Sequence, residues 1–113
     1  MPFDRTIGLL EDIGRNIDLA QSFVSGITIE QFEIDTLRAY AVTRCLEIIS
    51  EASRRLPEEF KARHPSIAWR EMAGAGNIYR HNYDNVAARR VWETVRLALP
   101  PLRQVINEEL NLT

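Results

Sequence analysis

The sequence has little of what a secreted, membrane or disulfide-stabilised protein needs. Its one cysteine, Cys45, cannot form a disulfide within the chain. No apolar run approaches the roughly 20 residues that span a bilayer. The first residues, MPFDRTIGLLEDIG, carry acids early and lack the apolar stretch of a signal peptide. We therefore expect a cytoplasmic protein. Cys45 lies in an apolar helical pattern and is expected to be a buried core thiol.

Common catalytic and metal-binding patterns are missing as well. The sequence has no glycine-rich phosphate loop, no nucleophile elbow and no Cys/His cluster with metal-ligand spacing. The two histidines, His64 and His81, fall on different segments, so no shared metal is expected. His64 follows Lys61 and Arg63 and is predicted to be an exposed surface histidine.

The composition predicts one small globular domain spanning residues 1–113. Hydrophobic residues make up 45% of the chain and charged residues 27%, which is typical of a globular fold. The net charge of −2 argues against general nucleic-acid binding. However, residues 61–113 carry 8 basic and 5 acidic residues, whereas residues 1–60 carry 6 basic and 11 acidic residues. The second half could therefore contact phosphates, although solvated helix faces explain the same pattern.

Helical periodicity dominates and strand alternation is nearly absent, which predicts an all-α bundle of four or five antiparallel helices. A first helix is expected from about Asp4 to Ser25, ended by Gly26. A second, long helix is expected from Thr28, with Gln31 completing a capping box, to Pro57. Its predicted buried face comprises Phe32, Leu37, Ala41, Ile48, Ala52 and Leu56.

The second half of the chain predicts three shorter helices. The first follows a Ser66 cap and contains the small residues of Gly74–Gly76, which suggest a close approach to another backbone. The next is capped by Asn82, Asp84 or Asn85, and Pro100-Pro101 breaks or kinks it before a last helix. Because the first two helices are long for so small a domain, we expect a homodimer that covers their apolar stripes, although another partner could cover them.

Polar residues cluster in the segment NIYRHNYDN at residues 77–85. Asn77 and His81 are four residues apart and share a helix face, and so do Arg80 and Asp84. Histidine is the side chain best suited to proton transfer near neutral pH. Residues alone leave two interpretations of His81 open, a catalytic group or a hydrogen-bonded structural histidine.

Three motifs in the same order resemble the HepT-type toxins of the HEPN ribonuclease superfamily. The first is Arg44-Cys-Leu-Glu-Ile-Ile-Ser-Glu-Ala52, with Ser50 where the family has glycine. The second runs from Pro65 through Trp69 to His81-Asn-Tyr83, and the third comprises Val91-Trp92 and the stretch Leu99-Pro-Pro-Leu102. The resemblance covers nearly the whole chain, and from the family motif Arg-x-x-x-x-His-x-Tyr it carries over His81 and Tyr83.

The sequence departs from this motif at Gly76, which stands where the family has its catalytic arginine. Arg80 is close but out of register, and it is the first candidate to replace that arginine. Asn77, Glu51 and Arg44 are expected to support the site. On these grounds Gly76→Arg should raise activity, the more so because arginine is favoured over glycine in a helix interior by roughly 0.7–1 kcal/mol.

The resemblance implies the toxin of a prokaryotic toxin–antitoxin module of type II or VII, a metal-independent endoribonuclease without a cofactor. It also implies a composite site at a homodimer interface, and a nucleotidyltransferase antitoxin that transfers AMP to Tyr83. Two other interpretations stay open. The chain could be a catalytically impaired binding module that serves as partner of a nucleotidyltransferase, or a purely structural helical dimer.

Overall fold

The computed structural model describes the backbone of residues 2–78 and 85–111, and the side chains of residues 5–78 and 86–111. Within these ranges the chain forms helices and turns and no strand. The all-α prediction is therefore confirmed. None of the helices in these ranges is both long and apolar enough to cross a bilayer.

The first helix, α1, spans Pro2–Val24. It ends where the sequence predicts, because Gly26 adopts a positive φ of 77°, a conformation that glycine reaches without the strain a Cβ would cause. The apolar stripe of α1 is buried in the core, with Ile13 and Ile17 fully inaccessible to solvent.

The predicted long second helix is two helices, so that prediction was wrong. Helix α2 spans Ile29–Glu33 and begins with the expected capping box, in which Thr28 and Gln31 exchange side-chain and backbone hydrogen bonds. Helix α3 then spans Thr36–Arg55, with the Asp35 side chain accepting the Arg38 backbone N–H at its start. An aspartate that caps a new helix favours a break at that point.

This break changes which residues are buried. Leu37, predicted to face the core, is 80% exposed because it lies in the first turn of α3 rather than inside a continuous helix. The buried face of α3 instead carries Val42, Cys45, Leu46, Ile49, Ser50, Ala52 and Ser53. Cys45 is a core thiol as predicted, and burial raises its pKa despite smaller opposing contributions from its own backbone and from Arg44.

Short elements connect α3 to the second half of the chain. Helix α4 spans Glu58–Ala62 and helix α5 spans Trp69–Gly74, and a 3-10 turn follows over Ala75–Asn77. The predicted Ser66 cap was wrong, because α5 begins only after Ala68 and has no side-chain cap. The first residue of α5, Trp69, is held by its indole N–H, which donates to the carbonyls of Lys61 and His64 at 3.2 and 3.0 Å.

The last part of the chain stays helical from residue 85 to residue 109. Helix α6 spans Asn85–Glu93, a π-helical turn spans Thr94–Ala98, and helix α7 spans Leu99–Glu109. Pro100 and Pro101 lie in the first turn of α7, where a missing N–H is tolerated. They remove the donors that an α-helix would supply to the preceding carbonyls, and a π-turn accommodates this loss.

Helix α1 packs antiparallel to both α3 and α7. At one end, Arg38 near the start of α3 donates to the carbonyl of Phe23 near the end of α1 at 2.8 Å. Arg103 of α7 pairs with Asp18 of α1 at 2.9 Å. Helix α2 packs on α6 through the rings of Phe32 and Trp92, whose centroids are 5.5 Å apart. The all-α bundle that the sequence predicts is thus confirmed, but the described residues form seven α-helices, α1–α7, where four or five were expected. The difference arises because α2, α4 and α5 are short helices between the long ones.

Candidate functional site

The site begins with a buried serine on α3. Ser50 is 2% exposed, and its hydroxyl donates to the carbonyl of Met72 at 3.0 Å. The same oxygen accepts the backbone N–H of Gly76 at 2.8 Å. One side chain therefore joins α3 to both α5 and the 3-10 turn, which lead directly to the segment that contains His81.

Gly76 lies too close to α3 to carry a side chain without movement. A Cβ built on Gly76 would be 2.8 Å from the Cα of Glu47 and 3.2 Å from the Ser50 hydroxyl. The close approach expected from the small residues of 74–76 is therefore present, and it occurs at Gly76. Gly76 also lies in a 3-10 turn and not in a helix interior, so the helix-propensity argument for Gly76→Arg was wrong.

Arg54, which lies one helical turn after Ser50 on α3, binds the same backbone segment. The Arg54 guanidinium donates to the carbonyl of Ala73 at 2.5 Å and to the carboxylate of Glu51 at 2.7 Å. The hydrogen bond and the positive charge of Arg54 lower the pKa of Glu51 below its ordinary value. Glu51, expected from the sequence to support the site, therefore contacts Arg54, which the sequence analysis did not single out.

The other described site residues lie on the surface near this segment. Arg44 pairs with Glu47 at 3.3 Å on the exposed side of α3, and Glu47 is the residue whose backbone meets Gly76. Asn77 is exposed at the end of the 3-10 turn. Arg80, His81 and Tyr83 lie outside the described residues.

A groove of about 620 Å³ opens between α5 with its 3-10 turn and the α6–α7 region. Its apolar lining includes Met72, Ile78 and Leu97, and the charged residues Arg90 and Glu93 also border it. Ile78 is the last described residue before the His81 segment. The groove is therefore lined in part by the residue that precedes, along the chain, the segment of predicted catalytic residues.

His64 is not the exposed histidine that the sequence predicts. Its side chain is 14% exposed, and its Nε2 lies 2.6 Å from a carboxylate oxygen of Glu109 on α7. Arg63 pairs with the same carboxylate at 3.0 Å. The prediction failed because α7 returns to α4 from 45 residues away in sequence, a contact that local pattern does not indicate.

No group of three or more potential metal ligands occurs among residues 5–78 and 86–111. The residues that the structure brings together at the site are a hydroxyl, a guanidinium and carboxylates, which position backbone and balance charge.

Comparison with known proteins identifies the family. The model of the ribonuclease HepT-like family matches residues 13–109, a span that includes α3, α5 and the motif positions 76–83. The chain belongs to the HepT-like ribonuclease family.

Similar proteins agree with this assignment to the HepT-like family. A protein of Thermococcus cleftensis named as a probable ribonuclease HepT is 44% identical over 94 residues, which cover 83% of this chain and 86% of that protein. A candidate RNase of Caldanaerobacter subterraneus is 37% identical, with coverage of 89% and 90%. A candidate RNase of Methanocaldococcus jannaschii is 32% identical, with coverage of 92% and 86%. No solved structure matches the chain significantly.

Sequence reasoning missed the contacts that Ser50 and Arg54 make in this HepT-like chain. One signal was present, because the motif resemblance singled out Ser50 and Gly76 as departures, and the structure joins these two residues by a hydrogen bond. Arg54 gave no such signal, since an arginine in the last turn of a helix is ordinary.

Proposed function

We propose that this HepT-like protein is a metal-independent endoribonuclease whose proton-transfer residue is His81. The observation that carries the proposal is the family match over residues 13–109, which includes His81 and Tyr83. The names of the similar proteins, all classed as ribonucleases, support the same reaction.

In this reaction RNA supplies its own nucleophile. His81 takes the proton of a 2′-hydroxyl, the 2′-oxygen attacks the adjacent phosphorus, and the bond from phosphorus to the 5′-oxygen breaks. A protonated His81 from a second copy gives a proton to the departing 5′-oxygen, leaving a cyclic phosphate. An arginine stabilises the charge that builds on the phosphate. Because Gly76 supplies no side chain, we assign that task to Arg80.

The composite site requires a homodimer, and exposed apolar residues support one. Ile34, Leu37 and Tyr40 are 84%, 80% and 56% exposed at the junction of α2 and α3. Leu37 and Tyr40 continue, at helical spacing, into the exposed stripe of Arg44, Glu47, Glu51 and Arg54 that reaches the 3-10 turn. A second copy seated on this stripe would bring two copies of residues 76–83 near each other.

We further propose that the protein is the toxin of a toxin–antitoxin module and that a nucleotidyltransferase antitoxin transfers AMP to Tyr83. An added nucleotide would place negative charge and bulk two residues from His81. Repulsion and steric block would then keep RNA phosphates out of the site.

Gly76 favours a second candidate function, a catalytically impaired module that binds a nucleotidyltransferase. Loss of a transition-state anion stabiliser commonly lowers a rate by on the order of 100- to 1000-fold. Cleavage of RNA by the wild type, abolished in His81→Ala, supports the ribonuclease. Absence of cleavage together with co-purification of a nucleotidyltransferase supports the binding module, and absence of both leaves a structural helical dimer.

A further inference from the structure

We propose that Ser50 and Arg54 are positioning residues for the ribonuclease site, an inference that rests on the proposed function. Together they form an α3 latch, defined as Ser50, Arg54 and the backbone groups of 72–76 that they bind. The latch fixes the backbone of 72–76, which precedes His81 in the sequence by five residues.

The two side chains act on one short segment from one face of α3. Ser50 binds the carbonyl of Met72 and the N–H of Gly76, and Arg54 binds the carbonyl of Ala73. Residues four apart on a helix lie one above the other, so these two side chains together hold two carbonyls and one N–H of the segment 72–76. At the end of α5 the Ala75 N–H still donates to the Met72 carbonyl, whereas the next N–H, that of Gly76, donates to Ser50.

The segment depends on these contacts because it is too short to be stable by itself. Helix α5 has six residues and the 3-10 turn has three, and isolated helices of this length are not stable in water. Their geometry must therefore come from what they pack against. Gly76 lets the backbone approach the Cα of Glu47, and Ser50 and Arg54 then fix its position along α3.

Arg54 is held for this role by Glu51. Its guanidinium donates to the Glu51 carboxylate at 2.7 Å while it donates to Ala73. Two of its five N–H donors are thus taken at the protein surface by the Ala73 carbonyl and the Glu51 carboxylate. This arrangement suits a residue that orients backbone better than one that leaves the protein to bind a phosphate.

The first test compares two buried serines of α3. Ser50→Ala removes both hydroxyl hydrogen bonds, whereas Ser53→Ala removes a hydroxyl that is equally buried and has no hydrogen-bond partner in the described part of the chain. With a fluorescently labelled single-stranded RNA of mixed sequence, we expect Ser50→Ala to lower kcat by roughly 10- to 100-fold, with KM unchanged. Ser53→Ala should keep the wild-type kcat, and equal losses in both variants would overturn the proposal.

The second test uses the two adjacent arginines at the end of α3. Arg54→Ala should lower kcat, and Arg54→Lys should restore part of it by donating to the Ala73 carbonyl. Arg55→Ala removes the same charge from the next residue, which is exposed and makes no described hydrogen bond to α5, and should leave kcat unchanged. A raised KM with normal kcat in Arg54→Ala would instead mean that Arg54 contacts RNA, and would contradict the positioning role.

Amide exchange separates failure of this proposal from failure of the proposed function. Ser50→Ala should speed exchange of the Gly76 amide relative to Ser53→Ala, whether or not RNA is cleaved. If the wild type does not cleave RNA, the proposed function is wrong and the α3 latch is only structural. If the wild type cleaves RNA and Ser50→Ala speeds exchange without lowering kcat, the positioning role alone is wrong.

Discussion

At the scale of single residues, a methyl group added at position 76 tests how closely the 3-10 turn packs on α3. Gly76→Ala puts a Cβ 2.8 Å from the Cα of Glu47, and backbone cannot move aside as a flexible side chain can. We expect a loss of about 1–3 kcal/mol in the free energy of unfolding, measured by urea denaturation. Gly76→Arg should lose at least as much, since it carries the same Cβ.

Gly74 provides the matched control for this prediction. A Cβ at Gly74 would meet nothing within 4 Å, so Gly74→Ala should be neutral or stabilise the protein by up to about 1 kcal/mol. Equal behaviour of Gly74→Ala and Gly76→Ala would show that the contact with Glu47 does not constrain the turn. Any activity test of Gly76→Arg therefore has to be normalised for folded protein.

Modification by AMP is also a prediction about one residue. Incubation with a nucleotidyltransferase partner and ATP should add one or more AMP units, seen by intact-mass analysis, if Tyr83 is the acceptor that we propose. Tyr83→Phe should remove the added mass, and Tyr79→Phe, at the nearby tyrosine, should retain it. Unchanged labelling of Tyr83→Phe would exclude Tyr83 as the acceptor.

At the scale of secondary-structure elements, Glu109 ties α7 to the end of α4. Burial raises the pKa of this carboxyl, but hydrogen bonds and charge from His64 and Arg63 outweigh burial and bring the pKa below its ordinary value of 4.5. A carboxyl whose pKa is lowered in the folded state stabilises the protein at pH values above its ordinary pKa. The stabilisation is lost as the pH falls through the lowered pKa.

We therefore expect Glu109→Gln to be less stable than the wild type at neutral pH and to lose less stability on acidification. Thermal unfolding measured from neutral to acid pH checks both the lower stability and the smaller loss on acidification. Glu108→Gln, at an exposed neighbour on the same helix, should follow the wild-type curve. Parallel curves for the wild type and Glu109→Gln would mean that the contacts with His64 and Arg63 contribute no net stability.

The elements show which features local sequence determines. The end of α1 at Gly26 and the capping box at Thr28 were predictable, since each depends on residues within one turn of the boundary. The break at Asp35 has a local signal that helical periodicity obscured. The partial burial of His64 against Glu109 depends on a segment distant in sequence, and no local pattern indicates it. The small residues of 74–76 predicted a close backbone approach, but not that its partner is Glu47.

The same division holds for the candidate site. Motif resemblance singled out Glu51 and Arg44, and the structure places both on the exposed side of α3 near the 3-10 turn. The hydrogen bonds of Ser50 and Arg54 to the backbone of 72–76 depend on how α5 packs on α3. Such contacts follow from tertiary structure and could not be read from the sequence.

At the scale of the whole molecule, the proposed homodimer depends on the exposed apolar residues near the start of α3. Leu37→Asp places a charge where an apolar contact is expected, and it should shift the protein to a monomer in sedimentation at micromolar concentration. Leu97→Asp changes a comparably exposed leucine on the π-turn and should keep the dimer. A wild-type monomer in the absence of its partner would contradict the dimer itself, whereas dissociation by both variants would contradict only the surface assigned to it.

The most direct test of the central claim is RNA cleavage by purified wild-type protein beside His81→Ala, with a chelator present and equal folded fractions confirmed by circular dichroism. The account predicts that the wild type cleaves single-stranded RNA and leaves cyclic phosphate ends, and that His81→Ala does not. Cleavage by His81→Ala at the wild-type rate would contradict the account, because the activity would then come from another residue or from a contaminating nuclease.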